Sequence, residues 1–218
     1  MGFFITFEGI EGSGKTTQLG LLKSYIEGKG LKALAIREPG GTWLGERVRE
    51  ILLDCNTKGP CPMAELFLYE SARAEIVAAV IRPALGNGMI VLSDRFTDST
   101  VAYQGYGRGL DLETIGQCNI SASSGIVPDI TIVLDCLPEK GLERAWKRIN
   151  SIEGAKEDRF EREALEFHMR VRQGYLEIAE KEPLRVRVID AERSEGEVFS
   201  DVAKVVDCAL AGLGWYNP

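Results

Sequence analysis

Eight residues, Gly9-Ile10-Glu11-Gly12-Ser13-Gly14-Lys15-Thr16, constrain the fold of this chain more than any other stretch. Gly9, Gly12 and Gly14, with Ser13 between the last two, let the backbone curl until consecutive N–H groups point inward at phosphate oxygens. Lys15 can then reach the β and γ oxygens, and the Thr16 hydroxyl can join the shell of a Mg²⁺ ion. The flanks agree: Phe3 to Phe7 is a short apolar, β-prone run, and Leu19, Leu22 and Ile26 recur at helical spacing beyond the loop. A strand, a glycine-rich turn and a helix whose positive end faces the phosphates are written in order, which predicts a nucleoside triphosphate site.

The chain has 218 residues, a length that suits one α/β domain over 1–218 with a full core and a small mobile excursion. Its formal charge of -7 disfavours attraction to nucleic acid or an acidic membrane surface, so an anionic ligand must be met by local cations. Cys55, Cys61, Cys118, Cys136 and Cys208 are scattered, without CxxC pairs, and predict free thiols in a reducing compartment. No basic segment precedes a long apolar stretch at the N-terminus and no apolar run reaches spanning length, so the expected location is cytoplasmic.

Further strands are predicted at Leu31 to Ile36, Met89 to Ser93, Ile130 to Leu134 and Val186 to Ile189, each short and apolar. Helical patterns separate them at Glu46 to Asp54, Ala64 to Leu85, Leu112 to Ser121, Glu139 to Arg148, Glu161 to Glu180 and Glu195 to Leu213. This order predicts a P-loop NTPase-type three-layer α/β fold, a parallel five-stranded sheet flanked by helices. Ligands then gather beyond the C-terminal strand ends, where Glu8 to Thr16, Arg37 to Thr42, Ser93 to Arg95, Asp135 and Asp190-Ala191 converge.

A phosphate loop does not choose between a kinase, a GTPase and a motor ATPase. The base-reading Asn-Lys-x-Asp and switch Asp-x-x-Gly patterns of regulatory GTPases are absent, which turns attention to an acceptor pocket. Its candidate parts are Arg37-Glu38-Pro39-Gly40-Gly41-Thr42, Arg49 on the following helix, and Asp94-Arg95. A carboxylate there can orient hydrated Mg²⁺ and a guanidinium can clamp a phosphate, although such a pair can equally brace two loops. Tyr69 and Arg73, four residues apart on one helix face, could stack a nucleobase and bond its rim, or form a core contact beside a surface arginine. Tyr103-Gln104-Gly105 offers a ring and an amide, or an ordinary helix end.

These motifs together resemble the thymidylate kinase family, from Phe7 through the phosphate loop to Ile189-Asp190-Ala191. The signatures are Arg37 to Thr42, Asp94-Arg95-Phe96 with Ser99, Ala102-Tyr103-Gln104-Gly105, Pro128-Asp129 and Asp158-Arg159-Phe160-Glu161. The resemblance implies transfer of the γ-phosphoryl of ATP to dTMP, giving dTDP and ADP, with Mg²⁺. It implies that Gly9 to Thr17 hold the donor phosphates and that Lys15, Glu11, Asp94 and Arg95 surround the chemistry. Arg37, Pro39, Arg49, Arg95 and Ser99 are implied on the acceptor-phosphate and sugar side. Tyr69 stands where a phenylalanine commonly stacks on thymine; Arg73, Thr100 and Gln104 are implied at the base, and Tyr103 against the sugar. Leu142 to Glu157 is similar to the family's basic lid, with Arg148 the first candidate for its catalytic arginine and Arg144 the second, while Arg193 is implied as a secondary candidate beside the adenine. A homodimer through Ala64 to Ile81 and the Leu112 region is also implied. His168 is assigned a surface or packing role. The competing readings are another pyrimidine monophosphate kinase and a nucleotide-binding regulator without turnover.

Overall fold

The computed structural model describes residues 2–54, 59–151 and 158–212; Cys55, the 152–157 part of the expected lid and the tail after Gly212 lie outside the described residues. Five strands, β1 (Phe3–Glu8), β2 (Ala33–Arg37), β3 (Ile90–Asp94), β4 (Ile130–Asp135) and β5 (Val186–Asp190), form one sheet in the order β2-β3-β1-β4-β5. Every pairing is parallel, with Phe7 opposite Asp94 and Ile132, so the ends of β1 and β3 deliver their next residues to the same rim. Alternate residues of β1 serve opposite faces: Phe3, Ile5 and Phe7 enter the large cluster with Leu22, Ile132 and Val202, whereas Phe4 packs with Ile76, Val77, Ile81 and Val91.

Helices cover the sheet as its two apolar faces require: α1 (Lys15–Gly28), α2 (Trp43–Leu53), α3 (Pro62–Ile76), α4 (Arg82–Gly86), α5 (Thr97–Thr100), α6 (Leu112–Ser123), α7 (Pro138–Asn150), α8 (Leu165–Lys181) and α9 (Glu195–Gly212). The five expected strands are all present, with β2 starting two residues later than its apolar run. The expected Ala64 to Leu85 helix is continuous but includes one π-helical turn, Val77–Ile81, just before Pro83. Proline lacks an N–H and crowds the carbonyl four residues back, and a wide turn relieves both. The helix expected from Glu161 starts at Leu165, because Arg159 to Arg162 form turns.

One element was not anticipated. Residues 97–107 form α5 followed by a π-helical stretch, Val101–Gly107, which carries Tyr103 and Gln104. Its residues show no clean amphipathic period because nearly all of them are buried, on the cavity side as well as the core side.

Candidate active site

The phosphate loop joins β1 to α1 in the conformation its glycines permit. Gly9, Gly12 and Gly14 have φ of 132°, 69° and 94°, values that L side chains rarely adopt. Gly12 also meets α7 backbone to backbone: a Cβ there would lie 1.9 Å from the Gly141 carbonyl oxygen. No side chain caps Gly14 at the start of α1 and no acidic residue stands in the first turn, so the helix presents bare N–H groups to an anion.

Lys15 lies folded over this loop, its Nζ donating to Gly9 O (3.0 Å) and Ile10 O (2.8 Å). Burial, helped by the Arg95 charge, pushes its ammonium down to about 8. Thr16 Oγ1 donates to Asp94 Oδ2 at 2.7 Å, which ties the start of α1 to the end of β3. Both oxygens are hard donors on the cavity wall, the chemistry a Mg²⁺ ion takes from protein when it keeps most of its water. Among the described residues no three His, Cys, Asp or Glu side chains are grouped so as to hold a metal ion.

Arg95 follows Asp94 with φ 77°, a strained position for a residue with a side chain. Its guanidinium donates to Gly9 O, Ser99 Oγ and Tyr175 OH (each 3.1 Å) and to Glu11 Oε1 and Tyr103 OH (each 3.0 Å), and it lies 4.7 Å from the Tyr103 ring centre. Tyr103 OH in turn donates to Glu11 Oε1. Burial alone would raise the Glu11 carboxyl, but the contact with His168 and the Arg95 and Lys15 charges outweigh it and hold the group well below the usual carboxylate range. Beneath them Glu8 accepts from Phe96 N, Ser99 Oγ and Tyr175 OH; burial, with the Asp98 charge, pushes its carboxyl up to about 7.

A second group of side chains comes from α2, α3 and residues 97–107. Arg73 is 1% exposed and makes four hydrogen bonds, to Glu38 Oε2 (2.9 Å), Glu70 Oε1 (2.8 Å), Thr100 Oγ1 (2.9 Å) and Asn119 Oδ1 (2.8 Å). It is thus no surface arginine. Glu38 precedes a cis peptide to Pro39, and Arg49 Nη1 donates to Pro39 O at 3.3 Å. Arg37 pairs with Glu46, which also accepts from Gly41 N and so fixes the glycine turn. Gln104 Nε2 donates to Glu65 Oε1 at 2.9 Å.

A cavity of about 530 Å³ brings both groups together. Lys15, Thr16, Glu11, Gly12, Asp94 and Arg95 line it from the phosphate-loop rim, and Arg37, Pro39 and Arg49 from the β2–α2 turn. Tyr69, Arg73, Ser99, Thr100, Tyr103 and Gln104 complete its wall, and Arg148 reaches it from α7, 3.8 Å from Glu161 Oε1. Other expected residues lie elsewhere. Gly9, Ser13, Gly14 and Thr17 lie in or beside the loop without lining this cavity; Arg144 donates to Ala191 O (2.9 Å), and Arg193 is paired with Asp190 and Asp201.

Four residues around the site receive no chemical role from the sequence. Glu8, Glu65 and Tyr175 are buried polar groups whose partners are 39 to 167 residues away along the chain. His168 is fully buried, not on the surface, with Nδ1 3.3 Å from Glu11 Oε2. A signal did exist: His168, Val171, Tyr175 and Ile178 fall on one buried stripe of α8, so two polar rings occupy core positions.

Comparison with known proteins agrees with this geometry. The thymidylate kinase family model matches residues 7–202. A thymidylate kinase of Geotalea daltonii is 53% identical over 97% of this chain and 100% of its own length, and one of Citrifermentans bemidjiense is 51% identical over 98% and 95%. The crystal structure of thymidylate kinase from Ehrlichia chaffeensis superposes with a TM-score of 0.74 at 38% identity, covering 94% of this chain and 98% of that one. With a phosphate loop, an arginine-lined cavity and full-length likeness to such enzymes, this chain belongs to the thymidylate kinase family.

Proposed function

We propose that this cavity transfers the γ-phosphoryl group of ATP to a phosphate oxygen of dTMP, releasing dTDP and ADP. The observation that carries the reading is one cavity wall holding Lys15, Thr16 and Asp94 together with Arg95, Tyr69, Arg73 and Gln104. The first three match the needs of a triphosphate, and the rest match those of a nucleoside monophosphate.

The acceptor is already an anionic oxygen, so no strong general base is needed; alignment and charge compensation are the work of the site. Lys15 is pre-positioned by loop carbonyls, and an approaching phosphate offers its ammonium a stronger partner. Arg95, held by five hydrogen bonds, meets the acceptor phosphate, with Arg37 and Arg49 on the adjoining turn. Tyr69 stacks on the base, Arg73 and Gln104 with Thr100 bond its edge, and Tyr103 and Glu11 border the sugar. Arg148, exposed on α7, supplies a cation for the equatorial oxygens, and Arg144 and Arg193 border the donor's adenine side. Mg²⁺, held through Thr16 and Asp94, would supply neutralisation of the β- and γ-phosphate charge.

A coupled ADP-release assay across dTMP, dUMP, UMP, dCMP, AMP and GMP tests the reading. The expected outcome is release that depends on dTMP above the others, with dUMP the nearest competitor because one methyl contributes only ~1–3 kcal/mol. Equal rates with every acceptor, or none, would overturn it.

We further propose that the enzyme acts as a homodimer in the cytoplasm. Met63 and Phe67 on α3 and Leu112 and Ile120 on α6 are exposed apolar side chains on two helices that pack together, the surface expected to pair. Cys61, Cys118, Cys136 and Cys208 are free thiols, and among the described residues no helix is long and apolar enough to cross a membrane.

A further inference from the structure

We infer that Glu65 fixes the hydrogen-bonding sense of the Gln104 amide, and thereby makes the cavity accept a pyrimidine with a 3-NH, 4-oxo edge and reject one with a bare N3 and a 4-amino group. The inference rests on the dTMP reading above and names the residue that sets its base selectivity.

Glu65 is 1% exposed on α3, yet its carboxylate is fully engaged. Arg108 donates to both oxygens, from Nε to Oε1 (3.1 Å) and from Nη2 to Oε2 (3.3 Å), and Arg159 donates to Oε2. Burial alone would raise its carboxyl, but these two guanidinium groups outweigh burial and hold it below the usual range. An ionised carboxylate only accepts hydrogen bonds. An amide offers NH₂ on one side of its carbon and C=O on the other, so Gln104 has a single arrangement beside Glu65: NH₂ toward the carboxylate, at 2.9 Å, and the carbonyl oxygen away from it. Among the described residues no N–H or O–H group donates to that oxygen, and Gln104 lines the cavity. The amide therefore presents an acceptor to the base.

Arg73 completes the pattern. Four acceptors, Glu38, Glu70, Thr100 and Asn119, hold the guanidinium in place through Nε and Nη1, and a guanidinium can only donate. A donor from Arg73 and an acceptor from Gln104 on one cavity wall match a ring carbonyl next to a ring N–H. Cytosine would set its amino group against the guanidinium and its bare N3 against the carbonyl, two unmade bonds in a desolvated pocket. Thymine and uracil share the accepted edge, so this device is separate from recognition of the methyl group.

The test compares wild-type enzyme, Glu65→Gln and Glu65→Asp, reading kcat/KM and calorimetric affinity for dTMP and dCMP. A glutamine at 65 donates as well as accepts and frees the amide to turn over; an aspartate still only accepts. The expected result is a dTMP-to-dCMP ratio about tenfold or more lower in Glu65→Gln and restored in Glu65→Asp. A uniform loss on both substrates, with the ratio unchanged, would make Glu65 merely structural and overturn the proposal. Should Glu65→Gln fail to fold, Gln104→Met, which removes the oriented carbonyl, must lower the same ratio, and an unchanged ratio there is equally fatal. A wild-type chain that binds dTMP over dCMP without releasing ADP would sink the kinase reading while leaving this one standing.

Discussion

Lys15 shows how strongly the single residues of this site depend on their surroundings. Its ammonium is buried against two loop carbonyls and pushed down to about 8. Lys15→Met is expected to lower kcat by ~10²–10³-fold, the usual cost of removing one donor that faces developing charge, while dTMP affinity measured by calorimetry stays nearly constant. Loss of dTMP affinity in step with kcat would place Lys15 elsewhere in the mechanism. Glu8 and Glu38 are displaced the other way, both pushed up to about 7 by burial from an ordinary 4.5. Between those pH values the folded chain holds more protons than the unfolded one, so stability falls as pH rises from about 4.5 to 7. Glu8→Gln removes Glu8's share of that fall. Its urea midpoint should decline less steeply than wild type's over this interval, and parallel slopes would refute the assignment.

At the scale of elements, caps and backbone contacts aim the side chains. Thr42 Oγ1 accepts from Gly45 N and starts α2, the helix that carries Arg49 into the cavity. Thr42→Ala should cost about 1 kcal/mol, seen as a lower melting temperature, and raise the KM for dTMP more than that for ATP. Equal effects on both substrates would detach α2 from the acceptor side. The sheet and most helices were legible because each is an apolar run of the right length and period, and the phosphate loop because its glycines sit next to Lys15 and Thr16. Residues 97–107 were not, since a π-helical segment buried nearly all round has neither the period of a helix nor that of a strand. The same limit hid Glu65 and His168. A buried charged residue is legible only through its partners, and Arg159 lies 94 residues from Glu65 and His168 157 from Glu11. Arg73 itself was found by its spacing from Tyr69, but its enclosure by four acceptors was beyond any local pattern.

Across the whole molecule, 26 basic and 33 acidic side chains leave a net -7, yet the cavity is lined by Lys15 and five arginines, Arg37, Arg49, Arg73, Arg95 and Arg148. The acidic excess lies outside the site and favours solubility, while these cations stand together on one cavity wall, where an anion would meet them at short range. The exposed apolar face of α3 and α6 is expected to make sedimentation report twice the 24.0 kDa chain mass, and Phe67→Glu with Ile120→Glu to halve it. A monomeric wild type would remove the proposed pairing. Arg73 has one more consequence. Its guanidinium needs Glu38 beyond β2, Glu70 on α3, Thr100 on α5 and Asn119 on α6 all in place at once. The pocket proposed for thymine therefore comes into being only when distant parts of the chain have converged, and on that proposal a half-assembled intermediate has nowhere to dock the nucleotide. Loss of dTMP-dependent fluorescence and loss of helical ellipticity should share one midpoint on heating, shifted upward together by added dTMP.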